Sequence, residues 1–221
     1  SLAKRQITAL ALEMLEVDGA RPMLDASSEI AGRLLPQIAG RHLESPSGGR
    51  GVLLSGVPGV ASAEVVILGA GVLGANAARA FAALGAQVTV LDIDLRKLRA
   101  LEATVPGRVT LVHAGDVTIA RSVSYADVLV GAVLVPGERA PVLVSKEAVQ
   151  QMRRDAVILD LSIDQGGCIE TSRPTTLADP VFRAHGAIHY CAPNTPALVA
   201  RTASHSLSHE LVPLLAGEAK N

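Results

Sequence analysis

The sequence predicts an α/β fold: a Rossmann-type doubly wound parallel sheet with an N-terminal helical arm. Three observations carry that expectation. Of the 221 residues, 49% are hydrophobic but only 2% aromatic, so the core must be built from aliphatic side chains. These aliphatics fall in short β-branched runs broken by the chain's 20 glycines, the pattern of strands buried on both faces. The runs alternate with helical stretches, which is the order that parallel strand–helix–strand units impose on a chain.

Length allows one large domain or one domain with extensions. The expected divisions are an arm and linker helix over residues 1–50, the Rossmann unit over 51–200 and a C-terminal helix over 201–221. In residues 2–16 the apolar positions Leu2, Ile7, Leu10, Leu12, Met14 and Leu15 suit a helix entering a strand, and periodicity does not decide between them. Residues 27–44 predict a helix, with Ser27 or Ser28 as N-cap and Ile30, Leu34, Leu35 and Ile38 at helical spacing. Ser47-Gly48-Gly49-Arg50-Gly51 and Gly56-Val57-Pro58-Gly59 form a linker, and a boundary falls there. A β-branched strand over 65–68, an Ala-rich helix over 76–84 and a strand over 87–91 ending on Asp92 then close a β-α-β unit. A helix over 95–102 and strands over 109–112 and 128–135 come next. They are followed by a helix over 146–152 and strands over 156–161 and 188–191. The last strand leads through Pro193 and Pro196 into the C-terminal helix.

The composition excludes several classes. A net charge of −1 leaves no electrostatic footprint for nucleic acid or an anionic membrane. The uncharged stretch between Glu64 and Arg79 is only 14 residues and is interrupted by glycine and asparagine, so it spans no bilayer. The N-terminus lacks a signal-peptide pattern, and the expected compartment is the cytosol. Cys168 and Cys191 make no disulfide framework and are expected as reduced structural thiols.

Gly69-Ala70-Gly71-Val72-Leu73-Gly74 is a GxGxxG that follows a strand and opens a helix. Gly69 permits the tight turn, Gly71 lets a pyrophosphate approach the backbone, and Gly74 lets helix and strand pack closely. The helix N-terminus offers free N–H groups and positive dipole charge to phosphates. Asp92 ends the second strand, where a carboxylate accepts hydrogen bonds from adenosine ribose hydroxyls and favours NAD over NADP. Asp94 is a rival acid, but it begins the next helix and reads better as a cap. Lys97 is placed either to reach the adenosine or to be a solvated surface lysine.

Longer motifs bring a family into view. Ile163-Asp164-Gln165-Gly166-Gly167-Cys168-Ile169-Glu170-Thr171-Ser172-Arg173-Pro174-Thr175-Thr176 resembles the NAD-binding domain of bacterial alanine dehydrogenases. So do Gly48-Gly49-Arg50-Gly51-Val52-Leu53-Leu54, Thr89-Val90-Leu91-Asp92-Ile93 and Gly131-Ala132-Val133-Leu134-Val135-Pro136-Gly137. The resemblance runs over nearly the whole chain. Transhydrogenase subunits share the ancestry, but the Ile163–Cys168 motif sides with alanine dehydrogenase. The resemblance implies NAD(H) as cofactor, with Ser28 on a cofactor phosphate, Gly71 and Val72 at the pyrophosphate, and Asp92 and Lys97 at the adenosine. It places Val133 and Leu134 beside the cofactor, and Leu161 and Asp164 in a segment alongside the nicotinamide. Asp164 and Asn194 would face nicotinamide and substrate. The segment Cys191-Ala192-Pro193-Asn194-Thr195-Pro196 departs from the family in the residues flanking Asn194.

In the resemblance, the substrate-holding arginine and lysine and the proton-handling histidine belong to an N-terminal domain that this sequence is expected to lack. Hydride transfer needs proximity and a proton donor. His205 and His209 lie four apart just after the Asn194 segment, on one face if helical, and His205 is the candidate general acid. The alternative is a pair of surface histidines on a terminal helix. His205, His209 and Glu210 have helical ligand spacing without the HExxH order, so no metal is expected. His189 and Tyr190 are expected to pack on a strand, and His42, His113 and His185 to lie in loops or at the surface. Two functions remain open. One is an NAD(H)-dependent oxidoreductase acting on an imine or amine other than alanine, most simply as a homodimer. The other is a non-catalytic NAD-binding subunit or sensor with a separate substrate-binding partner.

Overall fold

A computed structural model describes residues 3–7, 9–105, 109–135 and 137–218. A seven-stranded sheet runs in the order β3-β2-β1-β4-β5-β7-β6. Its strands are β1 (Glu64–Leu68), β2 (Gln87–Asp92), β3 (Val109–His113), β4 (Val128–Gly131), β5 (Val157–Asp160), β6 (Val181–Ala184) and β7 (Ala187–Tyr190). All pairings are parallel except β6 on β7. The helices are α1 (Pro22–Leu43), α2 (Val72–Ala83), α3 (Leu95–Glu102), α4 (Asp116–Tyr125), α5 (Lys146–Gln150) and α6 (Ala200–Glu218).

Strand alternation sends side chains to both faces, and both are covered. Val65, Ile67, Val88, Val90, Val128, Val130, Val157 and Leu159 pack with Leu35, Ala77, Phe81 and Leu98 of α1, α2 and α3. Val66, Leu68, Leu129 and Ile158 pack on the other side with Ile119, Val123 and Val149 of α4 and α5. These β-branched runs are continuous rather than alternating because neither face meets water. Burying each such side chain contributes about 1.5–3 kcal/mol, so small aliphatics suffice without the missing aromatics.

Several expectations are corrected. α1 begins at Pro22, five residues before Ser27, so neither Ser27 nor Ser28 is its N-cap. Proline at the first helical position presets φ and has no N–H to leave unpaired, and the Arg21 N–H reaches the Asp25 carboxylate at 3.4 Å. Ser27 is instead inside the helix and donates to the Met23 carbonyl. The described part of 2–16 holds only short 3₁₀ turns, Ala3–Arg5 and Leu12–Met14. The strand expected over 128–135 stops at Gly131, and the helix expected over 146–152 stops at Gln150. Antiparallel β6 and helix α4 were not anticipated. His42 is no loop residue: it occupies the last turn of α1, half-buried, with its ring 6.4 Å from that of Tyr190.

Close packing fixes α1 on α2. A Cβ at Gly32 would lie 2.4 Å from the Leu73 carbonyl oxygen, so only glycine lets the helices approach this closely. The linker is pinned to the opposite end of the sheet by buried Asp127, which receives Arg50 and Arg153, each at 2.9 Å, and the Glu64 N–H at 2.9 Å.

Candidate functional site

Parallel register brings the carboxyl ends of β1, β2, β4 and β5 to one edge, pairing Leu68 with Leu91 and Gly131, and Gly131 with Asp160. Sheet order reverses between β1 and β4, so the loops leaving them diverge and open a crevice, where ligands bind in open α/β sheets. Gly69 has a φ of 104°, and a Cβ there would lie 2.5 Å from the Ala132 carbonyl oxygen. A Cβ on Gly74 would overlap the Gly69 carbonyl oxygen at 1.9 Å. Gly71 differs: a Cβ there would meet nothing within 4 Å. The first and third glycines are thus demanded by the fold, whereas the second holds open a space. Gly71 is also the N-cap of α2 and offers no side-chain cap, leaving the first N–H groups of the helix to a ligand.

That space belongs to a cleft of about 420 Å³ bordered by Ala70, Gly71, Val72, Asn76, Arg79 and Lys97, with Glu29 of α1 on the far wall. Ser28, next to Glu29, lies in the second turn of α1 and is half-buried. Asp92 lies under the glycine loop, 8% exposed, with Oδ2 accepting from the Ala70 N–H and Oδ1 from the Asp94 N–H, both at 2.7 Å. It therefore shapes the loop while keeping lone pairs for further donors. Asp94 caps α3 as expected, accepting from the Arg96 N–H at 2.8 Å.

Across the crevice, Val133 and Leu134 follow β4. The Ser162 hydroxyl donates to the Val133 carbonyl at 2.8 Å and accepts the Val133 N–H at 3.0 Å, tying this loop to the one after β5. Leu161 continues the ladder through its N–H to the Gly131 carbonyl. Asp164 sits in the short turn Ile163–Gln165, and the Asn194 N–H reaches its carboxylate. Partial burial raises the Asp164 pKa, and the Asn194 N–H partly offsets the rise. Asn194 adopts φ 54°, a left-handed conformation that asparagine tolerates better than most residues. The structure thus brings Asp164 and Asn194 together.

His205 is not drawn into this group. It lies exposed on α6, and no described contact joins it to Asp164 or Asn194. One turn on, His209 lines a separate pocket of about 250 Å³ with Val17, Pro22 and Pro213, beside the start of α1. Both cysteines are buried and free, and burial pushes the Cys191 thiol up to about 11. Among the described residues, no group of three His, Cys, Asp or Glu side chains could hold a metal ion.

Asp160 is a further residue of this edge that no sequence motif singles out. Asp160 is completely buried at the end of β5. It ends its strand as Asp92 ends β2.

Residues 36–221 match the family model described as alanine dehydrogenase/PNT, C-terminal domain. The chain belongs to that family. A curated relative in the family, alanine dehydrogenase of Mycolicibacterium smegmatis, is 46% identical over 207 residues, 93% of this chain and 56% of the relative. The chain therefore spans about half the length of the curated relatives it matches. A solved L-alanine dehydrogenase superposes with a TM-score of 0.92 at 46% identity, covering 97% of this chain and 60% of that one. A transhydrogenase from Sinorhizobium meliloti, 23% identical and covering 93% of this chain and 59% of that one, shares the fold with a TM-score of 0.77. Among the described residues no helix is long and apolar enough to cross a membrane.

Proposed function

We propose that this chain binds NAD(H) and supports hydride transfer at a carbon–nitrogen centre, reducing an imine or oxidising an amine. The observation that carries the reading is the empty space at Gly71, bounded by two glycines the fold itself demands and facing the free N–H groups of α2. Those N–H groups would hold the pyrophosphate, with Ser28 as a further phosphate donor. Asp92 and Lys97 would take the adenosine ribose, and Val133, Leu134 and Leu161 would flank the nicotinamide end. The cofactor, when bound, supplies the hydride. What the chain's own residues would do there is orient: Asp164 is positioned by the Asn194 N–H, while partial burial raises its pKa. Proton donation by His205 would require approach from outside the Asp164–Asn194 pair.

The kinship with alanine dehydrogenases supports amine/imine chemistry. Because Asp164 and Asn194 are both exposed, the reading extends to imines bulkier than that of alanine, and a cyclic imine is the first probe. The exposed apolar residues Ile7, Leu10, Met14 and Val17 of the arm support a homodimer in which one copy's arm covers the other's open face. Purified chain mixed with NADH and a panel of imines, including the one formed from pyruvate and ammonia, should consume NADH absorbance at 340 nm. A second reading, a non-catalytic NAD-binding subunit, is favoured by the isolation of His205 from Asp164. It predicts tight NADH binding with no turnover on any imine until a substrate-binding partner is added. Failure to bind NADH at all would refute both.

A further inference from the structure

A completely buried carboxylate needs a reason, since removing its charge from water is costly unless the site repays it. Asp160 has no cationic partner among its contacts. Its backbone donors come from the two ends of a single loop, and the Ser172 hydroxyl, three residues beyond Ile169, also acts on the carboxylate. The Ser162 N–H reaches Oδ1 at 3.1 Å; the Cys168 and Ile169 N–H groups reach Oδ2 at 3.1 and 3.3 Å; and the Cys168 thiol sits 3.7 Å from Oδ1. Space for the carboxylate is made by glycine on either side. A Cβ on Gly131, at the end of β4, would lie 2.9 Å from Oδ1, and one on Gly167, in the loop, 2.9 Å from Oδ2.

The loop so gathered is the one that carries Asp164 at its turn and, through Ser162, fixes Val133 across the crevice. The geometry points to Asp160 as the positioning residue of the nicotinamide side: its carboxylate closes residues 161–169 into a ring and thereby presents Asp164 at the crevice. The inference rests on the proposed cofactor reading. It adds that the two halves of the dinucleotide site are organised by two strand-terminal aspartates, Asp92 under the glycine loop and Asp160 under the loop after β5. Neither acts by touching the reacting atoms. An amide in place of the Asp160 carboxylate keeps the shape but turns an N–H₂ toward a backbone N–H, so the ring opens at one end.

The test compares two ligands on the full chain. NADH spans both halves of the site, whereas ADP-ribose lacks the nicotinamide. In Asp160→Asn, NADH affinity should fall about tenfold, the scale of one lost charge-assisted hydrogen bond, with ADP-ribose affinity unchanged. Amide hydrogen exchange should quicken across 162–169 while 65–68 stays protected. Equal weakening of both ligands, or unchanged NADH binding in the folded variant, overturns the proposal. If Asp160→Asn does not fold, Gly167→Ala, whose Cβ would lie 2.9 Å from Oδ2 and press the carboxylate off the Cys168 and Ile169 N–H groups, should give the same split between ligands; its absence counts equally against the idea. Should the unmodified chain bind neither ligand, the cofactor reading fails, and the exchange of 162–169 alone decides whether Asp160 holds the loop.

Discussion

Replacing Gly71 and Gly74 by alanine, one at a time, should separate the glycine that the fold needs from the one a ligand needs. At Gly71 the added methyl meets nothing within 4 Å, and the backbone φ of −70° suits any residue. Alanine is a poorer N-cap than glycine by about 0.5–1 kcal/mol. It recovers about 0.4–1 kcal/mol by stiffening the unfolded chain. The net is near zero, and the melting temperature should move by less than about 2 °C. Yet the methyl occupies the space through which a pyrophosphate oxygen would reach the α2 N–H groups. Losing one hydrogen bond to a charged group costs about 1.5–3 kcal/mol, so NADH affinity should drop about 10–100-fold. At Gly74 the methyl would sit 1.9 Å from the Gly69 carbonyl oxygen. Overpacking of this kind costs about 1–3 kcal/mol, lowering the melting temperature by about 2–12 °C with or without ligand. Thermal denaturation followed by circular dichroism and titration of NADH fluorescence measure both quantities. If Gly71→Ala melts normally and binds NADH as tightly as the unmodified chain, the pyrophosphate does not lie on this helix terminus.

Other outcomes follow from the same contacts. Asp92→Ala deprives the Ala70 and Asp94 N–H groups of their acceptor, and should cost about 2–4 kcal/mol in urea denaturation as well as NADH affinity. Burial depresses the His189 pKa to about 4, below its ordinary 6.5, because the charged ring is desolvated. The unfolded chain therefore takes up a proton first as pH falls. Stability contributed by neutral His189 is fully present above pH 6.5 and is lost towards pH 4, by up to about 1.4 kcal/mol per pH unit; urea melts of His189→Gln should show a shallower slope. Removing both Arg50 and Arg153 leaves buried Asp127 without a counter-charge and should cost about 3–5 kcal/mol, whereas either single removal should cost less because the other arginine remains.

The central parallel strands were legible because they are buried on both faces, and continuous Val, Ile and Leu runs mark them. The glycine loop was legible for a different reason, since its spacing encodes backbone geometry directly. β6 was obscured by its place at the sheet edge. Val181-Phe182-Arg183-Ala184 is short, half-exposed and interrupted by a charge, so it carries little pattern. Its signal lies in the turn: His185 and Gly186 have φ of 52° and 83°, the two positive values of a tight hairpin, and the Gly186 could have betrayed it. Helix α4, Asp-Val-Thr-Ile-Ala-Arg-Ser-Val-Ser-Tyr, is rich in β-branched and hydroxyl residues that disfavour helices, and is held by packing of Ile119 and Val123 and by the Thr118 hydroxyl on the Gly115 N–H. The α1 start was misplaced because serine draws attention as a cap while Pro22 had already opened the helix. In the candidate site, Asp164 and Asn194 were singled out through the resemblance alone. Asp160 was not, because nothing in a lone strand-end aspartate reveals that its donors return from several residues downstream.

Gly32 has a mechanical meaning beyond packing. Where a side chain normally cushions two crossing helices, at Gly32 the backbone of α1 approaches that of α2 directly. Ser28 and Glu29 sit one turn before this contact, so the α1 wall of the cleft is set by an approach of backbone to backbone and not by side chains that could change rotamer.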